Sequence, residues 1–133
     1  MKIRSITVFC QPGFPPNRLL LQQLGIFAGH ARKLYEQAGY EVESLRLATP
    51  PFVSFLSPEN LVEAALTLAI ETQAEGFEYI SLGPVPADRP DLLQSIPRVL
   101  AQTQNVFFSA QLTTPNHEVS LPAAQAAARL ICQ

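Results

Sequence analysis

Charge is scarce in this sequence, and long apolar runs are missing from it. Only 15% of the 133 residues are charged, and the formal net charge is −2. Such a weak, slightly acidic balance argues against a surface that binds nucleic acid or an anionic membrane. No segment approaches the roughly 18 uncharged apolar residues that a membrane-spanning helix needs. We therefore predict no nucleic-acid partner and no membrane partner, and we expect the chain in the cytoplasm.

Cysteine, histidine and clustered glycine are scarce as well. Cys10, His30, His117 and Cys132 are far apart in the sequence, so they show no metal-site spacing. The six glycines are isolated and form no glycine-rich phosphate loop. Cys10 ends a predicted strand, where a nucleophile could stand, but no general base lies near it in the sequence. We predict no catalytic residue, no metal and no cofactor, and we interpret Cys10 as a small buried thiol.

What the sequence does contain is a repeated alternation of strands and helices. Four strand-like runs are predicted, each followed by a proline-bearing loop and a helical stretch: Ile3–Cys10, Glu41–Ala48, Phe77–Leu82 and Val106–Leu112. Strands that alternate with helices of this length indicate a parallel sheet. We predict one α/β domain over residues 1–133, with a four-stranded, mainly parallel sheet, flanking helices and right-handed crossovers. A ferredoxin-like α+β sheet is the alternative.

The segment after the first strand has the signals of an amphipathic helix. Asn17 is a suitable N-cap residue, and Gly39 is a suitable residue just past the last turn. Between them apolar residues recur at steps of four and three, and we predict that this stripe faces the core: Leu20, Leu24, Phe27, Ala31, Leu34 and Ala38. His30 lies between apolar positions and is expected to border the core.

The later crossovers carry helix signals too. Ser57 and Pro58 suit the N-cap and the first position of a second helix, which is apolar on nearly every face and should be buried from two sides. A third helical segment is expected to restart near Pro97, with Ser95 as its cap, because an internal proline removes a backbone donor. The alanine-rich run at 123–128 supports a last helix.

Two stretches of the chain resemble a known family. Near the start, KIRSIT at residues 2–7 is followed by LRLATPPF at residues 45–52. Later, SIPRVLAQT at residues 95–103 is followed by a strand that runs from Val106 towards Thr114. In their order and spacing, these motifs resemble the N-terminal portion of the domain-of-unknown-function 711 family over almost the whole chain.

The resemblance implies an α/β fold similar to that of pyruvate formate-lyase, in which two half-sheets of parallel strands close a barrel. This chain would correspond to one half-barrel, or to a fragment of a longer architecture, since the family is considerably longer. The radical-bearing glycine loop and paired cysteines of that enzyme have no counterpart here, so glycyl-radical chemistry is not implied. A further departure is LGPVP at residues 82–86, where many members carry a glycine-rich loop.

Four polar residues form the candidate ligand-binding set. Arg4 and Arg46 lie in otherwise apolar predicted strands, and an arginine can present two parallel donors to a carboxylate or phosphate. Thr49 and His117 follow the second and fourth predicted strands, at the edge where parallel sheets bind ligands.

Each of these residues also has a structural interpretation. The arginines, with Arg98, could instead form ion pairs inside the protein, with Glu41, Glu43 or Asp91 as partners. Thr49 could cap the following helix. His117 could form an acid–base pair with Glu118, or the two could simply be exposed in a loop.

Two hypotheses about function follow. The first is a non-catalytic α/β module that associates with itself as a homodimer or higher oligomer, because a 47% hydrophobic composition leaves apolar surface for a partner. The alternative is a degenerate enzyme-like domain that binds a small anionic metabolite at the carboxyl ends of the strands.

Overall fold

The structure is a computed structural model that describes residues 1–132. It contains six strands: β1 (Lys2–Ile3), β2 (Ile6–Phe9), β3 (Glu41–Val42), β4 (Leu45–Pro51), β5 (Tyr79–Val85) and β6 (Val106–Ala110). It contains four α-helices: α1 (Arg18–Gln37), α2 (Leu61–Ala74), α3 (Ile96–Leu100) and α4 (Leu121–Ile131). Short 3-10 turns lie at Phe52–Ser54, Pro58–Asn60 and Pro90–Ser95.

The central sheet has four strands in the order β2-β4-β5-β6, and every neighbouring pair is parallel. This confirms the predicted α/β class and excludes the ferredoxin-like alternative, whose sheet is antiparallel. Spatial order follows chain order, so each crossover moves one strand further across the sheet. The parallel pair β1-β3 forms a separate two-stranded sheet at the amino end.

Two predicted strands are each divided in two. The break falls at Arg4–Ser5 in the first and at Glu43–Ser44 in the second. In the second, the sequence itself shows a slip in the alternation of apolar and polar residues at Ser44–Leu45. The buried Ser44 connects the two breaks, because its hydroxyl donates to the Arg4 carbonyl oxygen (3.0 Å) and its own carbonyl accepts from the Ile6 amide (3.0 Å).

The prediction that prolines lie beyond the strands is wrong for the two central strands. Pro50 and Pro51 belong to β4, and Pro84 belongs to β5. The pairing of these strands changes register between Ala48 and Pro51. Proline cannot donate to a regular ladder, and an irregular stretch of this kind tolerates it.

Helix α1 has the predicted ends but not the predicted buried stripe. The Asn17 side chain accepts from the Leu20 amide (3.0 Å), and Gly39 has a φ of 86° just past the helix, as its C-terminal role requires. The stripe predicted to face the core is only partly buried: Leu24 packs against the core, whereas Phe27 is 63% exposed and Leu34 67% exposed. His30 is exposed too, so it does not border the core.

The neighbouring stripe of α1 packs against the sheet instead. Leu21, Gly25 and Ala28 are its buried residues, and two of them are small enough to allow a close approach. A Cβ atom on Gly25 would collide with the backbone of Glu75, just after α2. The close fit between α1 and the end of α2 therefore decides which apolar stripe is buried.

The remaining helices follow the prediction in outline. α2 begins after a 3-10 turn at Pro58–Asn60, and the Ser57 side chain makes no cap hydrogen bond. Six of the fourteen residues of α2 are buried, and Ile70 is 69% exposed. The third segment restarts at Ile96 as expected, but Ser95 does not cap it through its side chain. Ser120 caps α4.

The hydrophobic core lies between the sheet and α1, α2 and α3. Strand residues such as Leu47, Ile80 and Leu82 are fully buried there, against Leu68 of α2 and Val99 of α3. Because the strands follow one another across the sheet, all three crossover helices lie on the same side of it.

Candidate functional site

The other side of the central sheet has no helix over it, and we call it the open face. Successive side chains of a strand point to opposite sides, and the parallel register brings equivalent residues into rows. The open face is formed by Thr7, Phe9, Arg46, Ala48, Tyr79, Ser81, Phe107 and Ser109. Along every strand, the residues of the open face alternate with residues of the core.

One row of the open face runs in register from edge to edge: Phe9, Ala48, Ser81 and Phe107. The two edge residues are large and exposed, Phe9 at 78% and Phe107 at 50%. The two central residues are small. The row therefore forms a trough with aromatic rims about 14 Å apart, since neighbouring strands are about 4.8 Å apart.

Arg46 is the charged residue of the open face, and its partners are not carboxylates. Its guanidinium lies over the Tyr79 ring, 5.4 Å from the centroid, and its Nε donates to the Ser44 hydroxyl (3.2 Å). Tyr79 in turn makes an edge-on contact with Phe107, with centroids 5.4 Å apart. Arg46, Tyr79 and Phe107 form a cation–aromatic cluster on this face.

A cavity of about 790 Å³ lies at the carboxyl ends of β5 and β6. Its lining is rich in proline, hydroxyl and amide groups: Pro86, Ala87, Asp88, Pro90, Gln111, Thr113, Thr114, Pro115, His117, Ser120 and Pro122. This lining holds one carboxylate and, among the described residues, no lysine or arginine. Its charge therefore does not favour an anion.

His117 is held in this cavity by a tight hairpin. Its amide donates to the Thr114 carbonyl (2.9 Å), and the Thr114 amide donates to the Glu118 carbonyl (2.8 Å). His117 has a φ of 63°, the only positive value at a non-glycine residue in the described chain. Glycine is the residue usually found at such a turn position, so the histidine occupies it against its backbone preference.

Thr49 is buried between strands, and its hydroxyl is already used. It donates to the Pro50 carbonyl oxygen (2.9 Å) and accepts from the Gly83 amide (2.9 Å). Gly83 approaches so closely that a Cβ there would collide with the carbonyl oxygens of Thr49 and Pro50. Thr49 thus fastens β4 to β5 where their register changes, and it does not cap a helix.

The structure does not bring the four candidate residues into one site. Arg46 pairs with Tyr79, the first residue of β5, whereas the cavity with His117 lies past the last residue of that strand. The seven residue-to-residue steps of extended chain from Tyr79 to Pro86 span about 23 Å. Arg4 is exposed at the same amino end as Arg46. A role in ligand binding stays a prediction for each of them.

The ion pairs considered for the arginines are formed by other residues. Lys2 pairs with Glu41 (3.2 Å) and approaches Glu43 (3.9 Å), while Arg89 pairs with Asp91 (3.0 Å). That hydrogen-bonded pair holds the pKa of the Asp91 carboxyl below its ordinary value. Arg98 is exposed on α3 and makes no ion pair with the described residues, so the ion pair considered for it is not formed.

Cys10 lies at the end of β2 as a free, half-buried thiol. Burial raises its pKa, which favours the unreactive thiol form over the thiolate. Cys132 is also free and is exposed. Both observations agree with a structural interpretation of Cys10.

A clamp centred on Glu78 is absent from the sequence predictions. One oxygen of its carboxylate accepts from the Arg32 guanidinium (2.8 Å), and the other accepts from the Leu45 amide (2.6 Å). Burial by itself would raise the pKa of Glu78, but these hydrogen bonds hold it below its ordinary value. The clamp joins α1 to the amino end of the sheet. Its only sequence signal is a carboxylate next to an apolar strand.

The model of the family described as Uncharacterised ACR (DUF711) matches residues 1–133. The chain belongs to this family. No curated protein matches it.

The family match extends over both the open face and the cavity at the strand ends. The family's description names no activity, so it does not favour either surface as the functional site. Within the described residues, no helix is long and apolar enough to cross a membrane, and no cluster of three or more metal-ligating side chains is present.

Proposed function

We propose that this chain is a non-catalytic module that associates with copies of itself in the cytoplasm. The open face carries this proposal. Parallel sheets occur almost only with both faces covered, whereas here one face of an all-parallel sheet is bare. A second copy of the chain is the occupant that we propose for it.

The chemistry of the open face supports an interface. Phe9 and Phe107 are exposed aromatic residues, and aromatic side chains are enriched at the buried centres of interfaces. Arg46 already has an aromatic ring and a hydroxyl as partners, so it would keep these contacts when water is removed. The open face carries no carboxylate that a partner would have to neutralise.

The surface area also supports association. The chain exposes 8154 Å², whereas a compact monomer of its mass exposes about 6,900 Å². The excess of about 1,200 Å² is larger than the area of about 800 Å² that each partner contributes to an interface of standard size.

In this proposal the sheet acts as a half-barrel similar to half of pyruvate formate-lyase. Two open faces would turn towards each other, with helices on the outside of both copies. The aromatic rims of the trough would meet near the joints, and the small central residues would line the interior.

The proposal is tested by measuring mass in solution with light scattering at high micromolar concentration. We expect a dimer or larger assembly for the natural chain and a monomer for Phe107→Asp. Ile70→Asp is the matched control, because Ile70 is a similarly exposed apolar residue on α2, away from the open face. A natural chain that is monomeric under these conditions contradicts the proposal, as does a Phe107→Asp variant that associates normally.

A second candidate function is ligand binding in the cavity at the strand ends. The observation that favours it is His117, held in a left-handed backbone conformation on the cavity wall. Of the four predicted site residues, it is the one that lines this cavity. The lining fits a neutral or cationic polar molecule better than the anionic metabolite expected from the sequence.

Thermal shifts test this second candidate. The natural chain and His117→Gly are compared with citrate as an anion, glucose as a neutral polyol and spermidine as a cation. Binding predicts that one class raises the melting temperature of the natural chain by a few degrees but leaves that of His117→Gly unchanged. If none of the three raises it, or if both proteins respond equally, this site is not a binding site for that chemistry.

A further inference from the structure

We propose that the open face holds a small oxyanion, a carboxylate or a phosphate, at Arg46 when two copies of the chain meet. This inference rests on the proposed association through the open face and adds a ligand to it. The site is formed by Thr7, Arg46, Ala48, Tyr79 and Ser81 on three neighbouring strands. It is separate from the cavity at the strand ends, which lies past the other end of β5.

Arg46 lies on a central strand of the open face, away from both edge strands. It belongs to β4, and Tyr79 lies beside it on β5, the other central strand. The Arg46 residue is half-buried even in a single copy. Water is excluded most completely from the centre of an interface. A second copy on the open face would therefore bury the guanidinium together with its charge.

The contacts that Arg46 makes within the chain do not neutralise this charge. Its Nε donates to the Ser44 hydroxyl (3.2 Å), and its guanidinium lies over the Tyr79 ring, so both partners are uncharged. The donors on its two terminal nitrogens have no hydrogen-bond partner among the described residues. An arginine side chain stays protonated in proteins, and burying a charge without a counter-ion is costly.

The described residues of the open face offer no carboxylate as a counter-ion for Arg46. The acidic residues next to the central strands are already engaged, since Glu43 lies near Lys2 (3.9 Å) and Glu78 binds Arg32 (2.8 Å). In an interface between two identical surfaces, the partner presents the same groups. The second copy therefore brings a second Arg46 and no carboxylate, so the two open faces enclose two positive charges that they do not balance.

Small side chains leave room for an anion beside Arg46. Ala48 follows Arg46 on the same side of β4, and Ser81 follows Tyr79 on the same side of β5. A step of two residues along a strand covers about 7 Å, so these small residues form the floor of the trough next to the guanidinium. The hydroxyls of Thr7 and Ser81 have no hydrogen-bond partner in the described part of the chain, and a hydroxyl can donate to an anion.

A carboxylate or a phosphate is the chemistry that these groups recognise. An arginine presents two parallel N–H donors, which match two oxygen atoms of either group. One negative charge for each Arg46 would make the enclosed surface neutral. Because the anion is held fully only between two copies, its binding and the association of the chain should strengthen each other.

The test measures how the dissociation constant of the assembly depends on oxyanions at constant ionic strength. Light scattering over a dilution series is recorded in sodium chloride, then with sodium phosphate or sodium succinate replacing part of the chloride. Succinamide, a neutral analogue of succinate, is the ligand control. We expect phosphate or succinate to lower the dissociation constant of the natural chain about tenfold, and succinamide to leave it unchanged. A response to one of the two oxyanions alone supports the site and identifies the group it prefers.

Arg46→Met tests whether Arg46 is the residue that responds. Methionine removes the charge but keeps a long side chain that can pack on the Tyr79 ring. This variant should associate without an oxyanion, and phosphate or succinate should not change its dissociation constant. Arg98→Met is the matched control, because Arg98 is an exposed arginine on α3, on the helix side of the sheet, and its variant should respond like the natural chain. Circular dichroism checks that each variant is folded, and Arg46→Gln replaces Arg46→Met if the latter is not.

The outcomes separate this inference from the proposed function. A natural chain that associates equally well with and without phosphate or succinate overturns the inference and leaves the proposed function intact. An Arg46→Met variant that responds to oxyanions like the natural chain also overturns it, because the anion would then bind elsewhere. A natural chain that stays monomeric in all of these solutions contradicts the proposed function, and the inference with it.

Discussion

At the scale of single residues, the conformation of the chain is set by a few close approaches between backbones. Gly83 is the clearest example, because it lies against the carbonyl oxygens of Thr49 and Pro50 and leaves no room for a Cβ atom. Its amide donates to the buried Thr49 hydroxyl. In the sequence Gly83 is one of several isolated glycines, and only the tertiary structure shows that it and Gly25 make such close contacts.

We predict that Gly83→Ala lowers the free energy of unfolding by about 3 kcal/mol, because the backbones of β4 and β5 would have to move apart. Urea denaturation monitored by circular dichroism measures this change. Gly29→Ala is the matched control, since nothing lies within 4 Å of the added Cβ. Within helix α1 this control should stabilise the protein by about 1 kcal/mol. Equal effects of the two substitutions would show that the close approach at Gly83 does not constrain the sheet.

At the scale of elements, α1 is positioned by one buried stripe and one polar clamp. The sequence contains two adjacent apolar stripes on this helix, and helical periodicity alone does not choose between them. The choice is made by Gly25, which fits against the chain after α2, and by Arg32, which reaches Glu78. The Arg32 side chain is only 26% exposed, although its charge and its place opposite the predicted apolar stripe favour the solvent side of α1.

The Glu78 clamp predicts how stability depends on pH. The pKa of Glu78 is lowered in the folded chain, so the clamp contributes fully above the unfolded value of about 4.3 and is lost as the pH falls through the folded value. At pH 7 we expect Glu78→Gln to lower the free energy of unfolding by about 1–2 kcal/mol, a figure reduced for the partial exposure of this side chain.

Urea denaturation of both proteins from pH 7 to pH 3 checks this expectation. The difference in unfolding free energy between the natural chain and Glu78→Gln should shrink below about pH 4.3. Glu59→Gln, at an exposed position, is the control and should follow the natural chain throughout. A constant difference across the whole range would mean that the ionised clamp is not what Glu78 contributes.

At the scale of the whole molecule, a single layer of helices covers one side of a parallel sheet. Strand order equals chain order, which places α1, α2 and α3 together and leaves the open face without a layer of its own. Phe27 and Leu34 of α1 are further exposed apolar residues. The molecule is therefore built with more apolar surface than it covers, and the proposed interface on the open face arises from this property.

If association covers the open face, thermal stability should depend on protein concentration. Binding that occurs only in the folded state adds to stability by mass action. We expect the melting temperature of the natural chain to rise over a hundredfold range of concentration, as measured by circular dichroism. The melting temperature of Phe107→Asp should stay constant or rise less. A natural chain whose melting temperature does not change would be stable without a partner.

The sequence determines the features that depend on local signals. Alternating strand and helix patterns predict the parallel sheet, and capping residues such as Asn17 and Gly39 predict both ends of α1. In the sequence, the break before Leu45 coincides with a change in the alternation of apolar and polar residues. These features depend on backbone preferences within a few residues, which is why the sequence alone was enough.

Tertiary structure decides everything that depends on which surfaces meet. Strand alternation gives β4 two faces but does not say that Leu47 is covered and Arg46 is not, because this depends on helices from distant segments. For the same reason Arg46 and His117 were grouped from the sequence although they lie towards opposite ends of the sheet. Local preferences fix the elements, whereas long-range packing selects the buried stripe of α1 and leaves the open face uncovered.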